Sequence, residues 1–101
     1  MAITNTAILA TDTTIYSSTG NNAITTIIVC NTGATERALT LHAVPSGGSV
    51  SATNMIVNAL AIPGGETVSF DQEKFVLGDG DAIVAVGSDT GLSATVSVLP
   101  V

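Results

Sequence analysis

The sequence predicts an all-β domain, an antiparallel, jelly-roll-like β-sandwich of about seven or eight short strands. Apolar residues alternate with polar ones at period two or come in short β-branched runs, and neither pattern suits a helix. Turn-forming Gly, Asn, Pro and Asp residues separate these runs. The length of 101 residues fits one domain with a single core.

Short segments with strand patterns follow one another along the chain, and they are residues 7–17, 23–30, 37–44, 53–62, 67–70, 75–77, 81–88 and 92–98. The turns between them contain breaker residues, and they are Gly20-Asn21-Asn22, Asn31-Thr32-Gly33, residues 45–49, Pro63-Gly64-Gly65, Gly78-Asp79-Gly80 and Asp89-Thr90-Gly91. Residues 23–30 are the clearest strand, because their nearly continuous Ile and Val run indicates a core position. Residues 53–62 fit either a strand or, near Asn54, one turn of helix.

Alternation assigns faces in two of these strands. Leu39 and Leu41 share one face of residues 37–44. In residues 92–98 every second residue is apolar and those between are Ser or Thr, so this strand has one dry face and one wet face. The turn at residues 89–91 predicts a hairpin that joins this strand to the preceding one.

The N-terminal residues set the expected domain boundary. Residues 1–6 are too weakly apolar to predict an anchored strand, so they are expected to form a flexible arm that remains disordered or lies on a neighbouring molecule. The sandwich itself is then expected to span residues 7–101.

The scarcity of charge is the most informative feature for function. Ten residues are charged, 46% are apolar and fifteen are threonine, whereas a soluble domain usually has about a quarter of its residues charged. By size scaling, a folded monomer of 10.0 kDa exposes roughly 5,200 Å², or about 500 Å² per charge. Hydroxyl groups keep such a surface wettable, but we expect other protein to cover much of it. The sequence therefore predicts a subunit of a larger assembly.

Composition also disfavours several classes of function. Eight acidic residues face two cations, Arg37 and Lys74, so no basic patch for nucleic acid or for an anionic membrane is possible. No apolar run approaches the roughly 20 residues that cross a bilayer, and no signal-peptide pattern is present. Cys30 is the single cysteine, which excludes an intrachain disulfide. Synthesis in the cytosol is expected.

Candidate chemical sites are few. His42 is the single histidine and has no evident partner, so we interpret it as a surface or interface side chain rather than a general base. Cys30 lacks the nearby cations that activate a thiol and is interpreted as a small buried hydrophobe. The Gly78-Asp79-Gly80-Asp81 stretch, with Asp89, supplies carboxylates but matches no full calcium-loop pattern. The sequence therefore predicts no enzyme, no metal and no cofactor.

Four motifs carry a resemblance to a known group of proteins, and they are Ile28-Val29-Cys30-Asn31-Thr32-Gly33, Leu39-Thr40-Leu41-His42-Ala43-Val44, Ala61-Ile62-Pro63-Gly64-Gly65-Glu66-Thr67 and Leu77-Gly78-Asp79-Gly80-Asp81-Ala82-Ile83. Over residues 23–99 the chain resembles small β-sandwich virion proteins of tailed bacteriophages. The resemblance implies a structural role in a phage particle, commonly as a homotrimer. Because the chain is acidic, the favoured place is the exterior of the capsid, as a decoration or cement protein that binds the major capsid protein.

The contact residues expected for this role are Ile3, Thr6, Tyr16, Arg37 and Lys74. The first three lie near the N-terminus, and lone cations on an acidic protein often mark charge-complementary contacts. A tail, neck or fibre component of a phage is the first alternative function. A receptor- or carbohydrate-binding module is the second, although the absence of Trp and the single Tyr disfavour it.

Overall fold

The computed structural model describes residues 2–70 and 75–101. In these ranges it contains nine strands, which are β1 (Ala2–Ile8), β2 (Thr13–Ser17), β3 (Asn22–Asn31), β4 (Arg37–Val44), β5 (Met55–Ile62), β6 (Thr67–Phe70), β7 (Phe75–Leu77), β8 (Ala82–Gly87) and β9 (Leu92–Pro100). A 3₁₀ turn at Ala52–Asn54 directly precedes β5. Both structures expected in residues 53–62, a helical turn near Asn54 and a strand, are therefore present.

The strands form two antiparallel sheets. Sheet A has the order β1-β9-β3-β6. Strand β7 pairs with the same edge of β3 as β6 does, but with the first residues of β3, whereas β6 pairs with the last ones. Sheet B has the order β2-β8-β4-β5. Pairing of β1 with β9, β2 with β8, β3 with β6 and β4 with β5 gives the nested connectivity of a jelly roll. The predicted all-β sandwich is confirmed.

The core lies between the sheets and consists almost entirely of Ile, Leu, Val and Ala. Its members are at most 6% exposed, and they are Ile8, Ile15, Ile24, Ile27, Val29, Leu39, Leu41, Ile62, Leu77, Ile83, Ala85, Leu92, Ala94, Val96 and Val98. In β9 the four apolar side chains from Leu92 to Val98 point inward, and the Ser and Thr between them are half-buried on the other face. The predicted dry and wet faces of this strand are confirmed.

Two expectations about connections are wrong. Residues 7–17 do not form one segment, because residues 9–12 turn the chain from β1 in sheet A to β2 in sheet B. The Leu9 amide donates to Thr13 Oγ1 at 3.1 Å within this turn. Residues 88–91 are not a hairpin either, since β8 belongs to sheet B and β9 to sheet A. The Gly87 amide donates to the Leu9 carbonyl at 2.9 Å, which joins the two turns that pass between the sheets.

The expected N-terminal arm is also wrong for residues 2–6; Met1 lies outside the described residues. Strand β1 pairs without interruption with β9, from Ala2 opposite Val98 to Ile8 opposite Leu92. Ile8 is 1% exposed and belongs to the core. The alternation of Thr4, Thr6 and Ile8 toward the core anchors β1, even though two of these three residues are polar.

Candidate assembly surface

In residues 2–70 and 75–101, the charged residues lie at the two ends of the sandwich, in or beside its turns. Arg37, the first residue of β4, is the one charged residue within the described strands. Arg37 lies at one end of the sandwich. Four acidic residues lie at or beside the turns of the same end, and they are Asp12, Glu36, Glu66 and Asp89. Asp79 and Asp81 lie at the opposite end. Strand β8, which is about 20 Å long, runs from there to the end that contains Asp89. Apart from Arg37 at the start of β4, the described strands of both sheets therefore contain no charged residue.

The outer face of sheet A consists of hydroxyl and aliphatic side chains. Cross-strand neighbours form four rows on it, and they are Ile3-Ser97-Thr26, Asn5-Thr95-Ile28-Ser69, Ala7-Ser93-Cys30-Thr67 and Leu99-Ala23-Val76. We call these residues the sheet A face. Its aliphatic members are well exposed, at 69% for Ile3, 36% for Ile28, 70% for Val76 and 44% for Leu99. Strand spacing and rise give this face an area of roughly 570 Å².

The outer face of sheet B differs because a loop covers part of it. His42 lies on this face at 5% exposure, and Val84 beside it is 6% exposed. The ring Nδ1 of His42 lies 3.0 Å from the Ser51 carbonyl and 2.9 Å from Asn54 Oδ1. Since both are acceptors, Nδ1 carries the proton and donates to them. The interpretation of His42 as a surface residue is wrong, because it is buried and bonded to Ser51 and Asn54 of the segment that follows β4.

Cys30 also differs from its interpretation. It is half-buried on the sheet A face rather than enclosed in the core, because Val29 and Asn31 on either side of it point inward. Its cross-strand neighbours are Ser93 and Thr67. Cys30 is therefore a thiol on an uncharged, partly accessible surface.

The expected contact residues divide into two groups. The structure places Ile3 and Thr6 together on β1, where Ile3 points outward and Thr6 is half-buried on the inner side. Tyr16 lies on β2 in the other sheet and packs against the core. The structure thus brings Ile3 and Thr6 together on an edge of sheet A and leaves Tyr16 away from them. Lys74 lies outside the described residues.

Arg37 is engaged within its own domain. Its Nε donates to the Thr90 carbonyl at 2.9 Å, and its Nη1 donates to the Glu36 carbonyl at 3.1 Å. Its Nη2 lies 3.7 Å from Asp89 Oδ2. With a side chain that is 23% exposed, Arg37 connects two turns of the fold, and these bonds favour a role in the domain over a role at an interface.

Asn31 organises the same end of the sandwich. Its side chain is fully buried, donates from Nδ2 to the Thr35 and Ile62 carbonyls at 2.8 and 2.9 Å, and accepts from the Gly33 amide at 3.0 Å. The Gly65 amide donates to its carbonyl at 3.0 Å. The Asn-Thr-Gly and Pro-Gly-Gly motifs are therefore neighbours that hold turns together.

The Gly-Asp-Gly-Asp turn has the corresponding role at the other end. Asp81 accepts from the Ser46 amide through Oδ1 and from the Gly78 amide through Oδ2, both at 2.8 Å. Asp79 Oδ1 accepts from the Gly20 amide at 2.9 Å. Three turns are joined in this way, so the carboxylates serve the fold. No group of three or more His, Cys, Asp or Glu side chains suited to a metal ion occurs in residues 2–70 and 75–101.

Most exposed members of the sheet A face were not predicted from the sequence, and three of them show why. Ile28 belongs to an aliphatic run that predicted burial of every residue. Strict alternation in this strand, with Ile27 and Val29 facing the core, would have placed Ile28 on the outer face. Asn5 lay in the segment expected to be an arm. Leu99 lay beyond the expected end of the last strand, at residue 98, where β9 continues to Pro100.

No helix in the described ranges has the length and apolarity that crossing a bilayer requires. No protein-family model matches the sequence, and comparisons with curated proteins and with solved structures find no significant match. Function must therefore be argued from the surfaces of this molecule.

Proposed function

We propose that this protein is a structural subunit of a phage virion, a decoration protein that binds the outside of the capsid through the sheet A face. The observation that carries the proposal is that none of the described strand residues forming that face is charged, together with the exposure of Ile3, Ile28, Val76 and Leu99. The phage context rests on the resemblance of residues 23–99 and on its turn motifs.

An uncharged face of this kind is suited to contact with protein. Removing charged groups from water costs several kcal/mol per ion unless each finds a partner. The sheet A face carries none in its strands, and its Ser and Thr hydroxyls can form hydrogen bonds in either direction across an interface. Its aliphatic groups gain roughly 25 cal/mol for each Å² removed from water. Docking through this face therefore has a low desolvation cost.

The size of the face sets the expected mode of binding. Its roughly 570 Å² is below the roughly 800 Å² per partner of a standard interface, so one copy is expected to bind weakly. Several linked copies would raise the apparent affinity through effective concentration. The homotrimer that the resemblance implies would supply such linkage. Neighbouring capsid subunits would then separate only if all contacts between them and the trimer broke together.

The jelly roll by itself does not select this function, since both capsid proteins and lectins use it. Carbohydrate binding usually relies on an exposed aromatic platform. Tyr16 and Phe70 are the aromatic residues whose side chains the structure describes, and both pack against the core. This placement disfavours the carbohydrate-binding alternative.

The test is to mix the purified protein with undecorated capsids of tailed phages and image the particles by electron cryomicroscopy. The proposal predicts discrete density at repeated sites on the shell exterior, with the sheet A face toward the capsid. Density confined to a tail, neck or vertex would transfer the function to the first alternative. Shells that stay bare at saturating protein would contradict the capsid proposal.

A further inference from the structure

Strand β1 is an edge strand that lacks the usual protection against pairing with another strand. Native edges are blunted by short length, bulges, charge or proline. Among the described edge strands, β2 has five residues and a register shift, β6 and β7 have four and three residues, and β5 has two register shifts. Ala59 of β5 also has a positive φ of 51°. β1 has seven residues in unbroken register and contains no charge, Pro or Gly.

The sequence of β1 is nearly self-complementary about Asn5. Residues 3–7 read Ile-Thr-Asn-Thr-Ala. If two β1 strands pair antiparallel with Asn5 opposite Asn5, then Thr4 faces Thr6 and Ile3 faces Ala7 of the other copy. Thr–Thr pairs are favourable across strands, and a large side chain beside a small one avoids overlap. The free edge therefore matches a second copy of itself.

We propose that two copies of this chain associate by antiparallel pairing of their β1 strands around a twofold axis at Asn5. The axis is perpendicular to sheet A, so the two A sheets join into one continuous sheet and both sheet A faces point the same way. The net charge of −6 per chain does not prevent the contact, because no residue of β1 is charged. The inference deepens the proposed function, on which it rests, by naming a contact between subunits. A twofold dimer then replaces the homotrimer that the resemblance implies as the source of linked copies.

The dimensions of the edge predict a reversible dimer. A strand of seven residues is about 23 Å long, and the sandwich is 20 Å thick. The resulting rim of roughly 460 Å² per copy is well below the roughly 800 Å² of a standard interface. We therefore expect dimerisation to depend on protein concentration. Dimers that are weak in solution would be reinforced when both copies bind one shell.

The first test compares N5D with N58D by sedimentation equilibrium over a range of concentrations. Asn5→Asp places two carboxylates across the axis and should weaken dimerisation about tenfold or more. The aspartate keeps an oxygen to accept the 2.8 Å bond from Thr95 Oγ1, so the fold is expected to persist. Asn58→Asp makes the same change on the exposed edge strand β5 and should leave dimerisation unchanged. Equal effects of the two variants would overturn the inference.

The second test checks the register by mixing two variants, I3K and A7E. Each alone should dimerise poorly, because a charge meets an apolar partner. Their mixture should form heterodimers, since Ile3→Lys of one copy then faces Ala7→Glu of the other. Failure of the mixture to recover dimers, or a wild-type protein that is monomeric or trimeric at every concentration, would overturn the inference. Capsid binding is measured separately by cryomicroscopy, so it survives or fails independently.

Discussion

Replacing Asn31 by alanine should destabilise the domain by about 3 kcal/mol. The substitution removes three side-chain hydrogen bonds of 2.8, 2.9 and 3.0 Å, to the Thr35 carbonyl, the Ile62 carbonyl and the Gly33 amide. Each such bond contributes about 1 kcal/mol net, and leaving a buried partner unpaired costs at least that much. Since a domain of this size has roughly 5–15 kcal/mol of stability in total, the loss should lower the melting temperature by roughly 12–24 °C.

The assay is urea unfolding of wild type and variants followed by far-ultraviolet circular dichroism. Asn58→Ala is the matched control, because Asn58 is exposed on β5 and its removal should change stability by no more than about 0.5 kcal/mol. If Asn31→Ala costs less than about 1 kcal/mol, or no more than the control, then Asn31 does not hold the turns together and the reasoning is refuted.

Three further predictions concern backbone strain, close packing and the sheet A face. Ala59→Gly should stabilise the protein by about 1 kcal/mol in the same assay, because φ is 51° there, whereas Ala61→Gly in the same strand should destabilise it by roughly 0.5–1 kcal/mol. A neutral or destabilising effect of Ala59→Gly, like that of the Ala61→Gly control, would refute the strain at Ala59. Gly64→Ala should cost about 1–3 kcal/mol, because the added Cβ would overlap the backbone carbonyl group of Ala34 in the neighbouring turn; a neutral result would contradict that close approach. Ile28→Lys should weaken capsid binding at least tenfold with little change in stability, whereas Ile56→Lys on sheet B, at 40% exposure, should not; equal binding by both would exclude the sheet A face as the contact.

Much of the fold was predictable because local patterns determine most of it. The clean alternation in residues 92–98 fixed the inner face of β9, and the aliphatic run in residues 23–30 located β3. The assignment of strands to sheets was not predictable in this way. Two neighbouring strands joined by Asp89-Thr90-Gly91 have the local signature of a hairpin, yet here they belong to different sheets. That choice depends on long-range pairing, which no short window records.

The existence of an assembly surface was predictable from the sequence, but the residues that form it were not. The scarcity of charge indicated an assembly subunit, while the positions of its exposed aliphatic groups depend on which side of each strand faces the core. Ile28 illustrates the difficulty, since it lies between two buried residues of an apolar run. His42 illustrates the reverse, because a covering loop buries a polar residue on an outer face. Burial of a strand residue by a loop packed on the sheet cannot be derived from the pattern of that strand alone.

The reactivity of the Cys30 thiol reports whether the sheet A face is covered in the assembly. Cys30 is the single cysteine and is partly accessible in the free protein. Its rate of reaction with a small maleimide should be compared between free protein and protein bound to capsids, with denatured protein as the reference for full access. We expect a rate at least tenfold lower in the bound state. Equal rates in the free and bound states would show that this face remains open to solvent and is not the contact with the capsid.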